Sequence, residues 1–133
     1  MTTVNWPAFF PPKCPPSEAK DAAGEVFRLV YTAPPSVKDF ESFAQMRPKE
    51  FMGNCEASGL SVFTAKSDAL RLVRRVQGLA KQGKPVPCGD LVASANLWRE
   101  AGKLLHTPRN GNSHHTWWAP DGFDHAAAFK VVK

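Results

Sequence analysis

The hydrophobic and polar positions of this chain change period several times, and each change marks an element. Between Glu25 and Thr32, the strand formers Val26, Phe27, Leu29, Val30 and Tyr31 surround a lone Arg28, which predicts a first strand. Pro34-Pro35 breaks it. Ser36 with Asp39 three residues on forms a capping box for a short helix carrying Val37, Phe40 and Phe43, ended by Pro48. Gly59-Leu60-Ser61-Val62-Phe63-Thr64 reads as a second strand. The clearest periodicity comes next: Ala69, Leu72, Val73, Val76, Leu79 and Ala80 recur at helical spacing, so a helix is expected over 65–82, with Thr64 as N-cap and Gly83 as stop. Arg71, Arg74, Arg75 and Lys81 fall on its other side.

Beyond Pro85, Val86 to Val92 reads as a strand, and Leu97 to Leu105 fits either a short helix or a turn plus strand. Thr107-Pro108-Arg109-Asn110-Gly111-Asn112 is a turn cluster. His114 to Trp118 and Ala128 to Val132 read as strands, joined through Pro120-Asp121-Gly122 into an antiparallel hairpin. The sum is an α+β domain over 25–133, with five to six short strands in a mostly antiparallel sheet and two to three helices. Residues 1–24 form an arm of another character. Seven of the twelve prolines lie in the first 35 residues, which keeps the arm extended. It also carries Trp6, Phe9 and Phe10, so it is expected to lie against the domain or a partner.

Composition narrows the class. An apolar fraction of 43% with 22% charged residues belongs to a globular chain, and 133 residues fit one domain. No apolar run approaches the roughly 18–20 residues of a membrane span. The N-terminus has neither the basic start nor the apolar stretch of a secretion signal, so a cytoplasmic location is expected. Cys14, Cys55 and Cys88 are odd in number, widely spaced and without a CxxC pair, which reads as three reduced thiols. The net charge of +5 suits an anionic partner.

The densest candidate chemistry is Ser113-His114-His115-Thr116-Trp117-Trp118. In a strand, His114 and Thr116 face one way while His115 and Trp117 face the other, so only one histidine of the pair can belong to a given site. With no HExxH, HxH or Cys/His ligand spacing, no metal site is expected. A single histidine, His114 or His115, suits proton transfer near neutrality. Trp117 and Trp118 supply either core packing or faces for a ligand ring. Asn110-Gly111-Asn112-Ser113 offers turn N–H groups to an anion, or simply closes a hairpin. GxGxxG, Walker A and GxSxG patterns are absent from the sequence.

A strand bearing a lone arginine (Val26-Phe27-Arg28-Leu29-Val30), followed by Gly59-Leu60-Ser61-Val62-Phe63-Thr64 leading into a helix from Ser67-Asp68-Ala69, is similar to the arrangement in the ADP-ribosyltransferase-like superfamily, which includes RES-type toxin domains. The resemblance covers about a third of the chain. It implies NAD bound in a cleft of a split antiparallel sheet, with cleavage of the glycosidic bond at nicotinamide. Arg28 would then contact the NAD phosphate or ribose, and Ser61 would support the nicotinamide pocket. The family's late-strand Glu or Gln is missing, so His114 or His115 would stand in for it.

Three readings follow. The first is a non-catalytic interaction module that binds a protein partner through its arm and basic helix face. The second is a transferase or glycohydrolase acting on NAD or another nucleotide, with Ser61 and His114 or His115 as catalytic groups and Arg28, Trp117 and Trp118 against the cofactor. The third is a nucleic-acid binder or nuclease using the basic helix face. The sequence leaves open whether the protein is an enzyme, and a membrane partner is not expected.

Overall fold

The structure, a computed structural model, describes residues 4–132; residues 1–3 of the arm and Lys133 lie outside the described residues. Strands β1 (Lys20–Asp21), β2 (Gly24–Val30), β3 (Leu60–Phe63), β4 (Leu91–Leu97), β5 (Lys103–His106), β6 (His114–Trp118) and β7 (Lys130–Val132) form one open sheet. Their order is β1-β5-β6-β3-β2-β4-β7, antiparallel at every pairing. The helices are α1 (Phe43–Met46), α2 (Pro48–Phe51), α3 (Cys55–Ser58), α4 (Lys66–Lys81) and α5 (His125–Ala128), of which only α4 is longer than four residues. The α+β class is as expected. The sheet has seven strands, its two edges being the short β1 and β7.

Strand alternation divides the core. Val26 and Val30 of β2, Leu60 and Val62 of β3, Ala93, Ala95 and Leu97 of β4, and Trp117 of β6 share one face with Phe40 and Phe129. Phe27, Leu29, Phe63 and Val92 share the other with Ala69 and Val76 of α4. The helical spacing of Ala69, Leu72, Val73 and Val76 therefore does what it predicts, although Ala80 is exposed. At roughly 25 cal/mol per Å² of apolar surface removed from water, these two layers supply the main driving force. A third cluster joins Cys14, Ala19 and Trp118 with Trp6, Phe10, Cys55 and Leu105, so the arm packs on its own domain.

Several local expectations are corrected. Cys14 and Cys55 are joined by a disulfide, leaving Cys88 as the free thiol among the described cysteines. Their sequence separation of 41 gave no local cue, because only the fold brings arm and α3 together. Pro48 begins α2 instead of ending a longer helix, since proline is tolerated where an N–H has no helical partner. The capping box at Ser36 is present, with the Ser36 N–H donating to Asp39 Oδ2 at 2.9 Å, but it opens a single 3-10 turn, Val37–Phe40. The N-cap of α4 is Ala65, not Thr64.

The strand expected at Val86–Val92 lies later, at β4, because burial along β2 selects the register Gly24↔Leu97 to Val30↔Leu91. The expected hairpin of the last two strands does not form: β6 pairs with β3 and β5, while β7 pairs with β4 on the far side of β2. The hairpin is β5–β6, closed by the 107–113 turn cluster. The ambiguous Leu97–Leu105 stretch is the end of β4, a 3-10 turn at Arg99–Ala101, and β5. Gly102 permits that path: its φ is +116°, and a Cβ there would lie 1.9 Å from the Trp118 carbonyl oxygen.

Candidate functional site

Strands β2 and β3 register at one residue pair only, Phe27↔Phe63. Past that pair they diverge, and the guanidinium of Arg28 bridges the opening. Its Nε donates to the Asp39 carbonyl at 3.0 Å and Nη1 to the Ser61 carbonyl at 2.8 Å, with Cζ 5.6 Å from the Phe40 ring centre. Arg28 has the parity of Val26 and Val30, whereas Ser61 has that of Phe63, so the two side chains leave opposite faces of the sheet. The splay nevertheless brings both to one cleft of about 260 Å³, together with His114. Ser42, Arg109, Asn110, Cys88 and Glu41 line it as well.

Burial pulls the Arg28 guanidinium down to about 10, so it is still charged at neutral pH. Beside it, Asp39 is fixed by four hydrogen bonds: from the N–H groups of Tyr31 and Ser36 and the hydroxyls of Thr32 and Ser36. Burial alone would raise its pKa, but those donors outweigh it and hold the carboxyl below the ordinary 3.8. Arg109, on the opposite wall, is ion-paired to Glu56.

His114 is buried, and its ring meets Phe63 edge-on with centroids 5.5 Å apart. Nδ1 lies 2.7 Å from the Thr107 carbonyl oxygen, which can only accept, so Nδ1 carries the proton and Nε2 keeps its lone pair. Burial pushes the pKa below the usual 6.5, with the Thr107 bond opposing and Arg109 assisting. A neutral imidazole is therefore held at the cleft. The 107–113 turn that positions it docks on the start of α4: the Ser113 N–H donates to Asp68 Oδ2 at 3.0 Å, and Ser113 Oγ accepts from the Ala65 N–H at 3.0 Å. Gly111, at φ +128°, lies where a Cβ would meet the Asp68 carboxyl at 2.6 Å.

The other residues singled out from sequence lie elsewhere. His115 sits beside His106, ring centres 5.1 Å apart and planes tilted by 41°, with Nδ1 near the Ser113 carbonyl, and it lines neither this cleft nor the larger one on the opposite face. Trp118 is buried under the arm and gives its indole N–H to the Cys55 carbonyl at 2.8 Å. Trp117 is fully buried, with its N–H on the Ala101 carbonyl at 2.8 Å, but it forms the floor of a second, larger cleft of about 560 Å³ on the opposite face. Phe9, Phe10, Phe40, Phe123 and His125 also line that cleft, and Glu41 and Leu60 belong to both. The sequence placed none of Glu41, Arg109 and His125 at a cleft. Glu41 and Arg109 sit in irregular segments, and His125 opens the four-residue α5, too short for any periodicity to indicate which way a side chain points.

Among the described residues no group of three or more His, Cys, Asp or Glu side chains is placed to hold a metal, and no helix is long and apolar enough to cross a membrane. Fold and clefts together define a small α+β domain whose open antiparallel sheet parts around a cationic cleft. No protein-family model, curated protein or solved structure matches the chain.

Proposed function

We propose that the β2–β3 cleft binds a nucleotide or a related phosphorylated ligand, and that the protein acts on it as a transferase or glycohydrolase. NAD is the ligand that the ADP-ribosyltransferase-like resemblance puts first. The observation that carries this reading is the meeting of Arg28, Ser61 and His114 in one cleft, although they leave different faces of the sheet. Arg28 and Arg109 suit phosphate, because a guanidinium donates two parallel hydrogen bonds to its oxygens. His114 Nε2 suits removal of a proton from an attacking hydroxyl or water. Glu41 suits the positive charge that develops on a ribose as its glycosidic bond breaks. A cleft of about 260 Å³ takes a phosphorylated ribose fragment and leaves the rest of a larger nucleotide outside it.

Thermal stability is to be measured with NAD, ADP-ribose, AMP and inorganic phosphate, for the native chain and for Ser61→Trp, which fills the cleft from an exposed position. Saturable stabilisation that disappears in Ser61→Trp is expected. If none of the four raises the melting temperature at millimolar concentration, or if Ser61→Trp binds as the native chain does, the reading fails.

A non-catalytic interaction module is the second reading. It now rests on the exposed Phe43, Met46 and Met52 between β2 and β3, because Trp6, Phe9 and Phe10 of the arm are half-buried on their own domain. The nucleic-acid reading is weaker: Arg71 is ion-paired to Asp68 and Arg75 is hydrogen-bonded to Asn110. The expected cytoplasmic location competes with the Cys14–Cys55 bridge, since disulfides persist in oxidising compartments. Counting thiols on protein alkylated inside its native cells decides between them: one reactive thiol favours an oxidising compartment, three the cytoplasm.

A further inference from the structure

The larger cleft has a chemistry of its own, independent of the phosphate reading. Its walls are aromatic and aliphatic: the half-buried Phe123 and the arm's Phe9 and Phe10 are the accessible rings, and the buried Phe40 and Trp117 lie beneath the surface of the cleft. The charged residues lining it are Glu41, Asp121 and Asp124, with no Lys or Arg among them, in a chain whose net charge is +5. Arg28 lines the other cleft, but its Cζ stands over the Phe40 ring, 5.6 Å from the ring centre, and its charge is felt at His125, so Phe9, Phe10 and Phe123 are the rings left to a second cation. The acids are also not equivalent. Asp124 caps α5 by accepting from the Ala127 N–H at 3.1 Å, while among the described residues the Glu41 and Asp121 carboxylates make no hydrogen bond or ion pair.

His125 stands in the middle of the aromatic group, with ring centres 5.2 Å from Trp117, 5.3 Å from Phe123 and 5.4 Å from Phe40. Burial lowers its pKa, so near neutrality it contributes another uncharged ring and no repulsion toward a cation.

Aromatic walls attract a cation through their ring quadrupoles, and do so best when the cation has shed its water. A compact ammonium such as that of lysine holds its water tightly; an alkylated ammonium does not, and its methyl groups also fill apolar space. Carboxylates at the rim add Coulomb attraction and repel anions. We propose that this cleft is a binding site for a small organic cation carrying an alkylated ammonium group, its methyl groups against the aromatic walls and its charge toward Glu41 and Asp121. The volume of about 560 Å³ falls within the range of small-molecule sites.

The probe is choline, compared with 3,3-dimethyl-1-butanol, which has the same shape without the charge. Binding is to be read from calorimetry and from the intrinsic tryptophan fluorescence, to which Trp6, Trp98, Trp117 and Trp118 all contribute. Saturable choline binding is expected, with the neutral isostere weaker by roughly tenfold. Asp121→Asn and Glu41→Gln, which preserve shape, should each weaken choline several-fold and leave the isostere unchanged. Far-ultraviolet dichroism checks that the variants fold, and a ligand-detected magnetisation-transfer measurement on the native chain gives a readout that needs no variant. Equal binding of the two probes would mean an apolar cavity indifferent to charge and would overturn the proposal. So would the absence of saturable choline binding up to tens of millimolar. Ser61→Trp, which closes the other cleft, should leave choline binding intact, so this test and that of the phosphate reading fail separately.

Discussion

Arg28 shows how one side chain can be structural and chemical together. Two of its five N–H groups are committed to the carbonyls of Asp39 and Ser61, on segments that no backbone ladder joins to each other. Removing the guanidinium leaves the part-buried Asp39 carbonyl without this partner, while water reaches the exposed Ser61 carbonyl, so Arg28→Ala should lower the unfolding free energy by about 1–3 kcal/mol, as measured by urea titration. Histidine protonation gives a second prediction at this scale. His114 and His125 both have folded pKa values depressed below the unfolded 6.5. The folded state thus binds fewer protons than the unfolded chain, so their contribution is fully present above about pH 6.5 and is lost as pH falls through the folded values. The melting temperature should therefore decline on acidification from about pH 6.5, before the carboxylates titrate, and His125→Phe should flatten that decline. Asp39, whose pKa is held below 3.8, adds a separate loss at still lower pH.

Among the elements, the arm is the one whose role changed most. Its prolines and aromatics announced an extended segment seeking an apolar surface, and that surface is Trp118 together with Leu105. The segment ends in β1, paired with β5 at Lys20↔Leu104 and Asp21↔Lys103, and it is tied to α3 by the Cys14–Cys55 bridge. A cross-link over 41 residues removes about 4 kcal/mol of unfolded-state loop entropy. Reduction, or Cys14→Ser, should accordingly lower the melting temperature by several degrees or more and open the arm to limited proteolysis ahead of the sheet. Because Phe9 and Phe10 wall the aromatic cleft, the same treatment should weaken choline binding.

Across the whole molecule, the separation of chemistry follows from the sheet. Its splay at β2–β3 creates the cationic cleft, the opposite face carries the acidic and aromatic one, and Glu41 stands on the wall between them. Much of this frame was legible beforehand. Alternation in β2 and the apolar repeat of α4 are local consequences of side-chain geometry, so they could be read residue by residue. The split of His114 from His115 followed in the same way from the pleat. Arg28, Ser61 and His114 were named from sequence, but alternation by itself would have set Arg28 and Ser61 apart. Only the divergence of two strands beyond one registered pair reunites them.

The sequence by itself determined where regular structure forms, which faces are apolar and which histidine can share a face with Thr116, because these depend on neighbours along the chain. Tertiary structure alone decided that β6 pairs with β3 and β5 and not with β7, that Cys14 meets Cys55, and that Glu41, Arg109 and His125 reach the clefts. Strand partners and disulfides are chosen by burial summed over the whole sheet, and the direction of a side chain in an irregular segment depends on what packs against it. Neither quantity is written in any short stretch of residues.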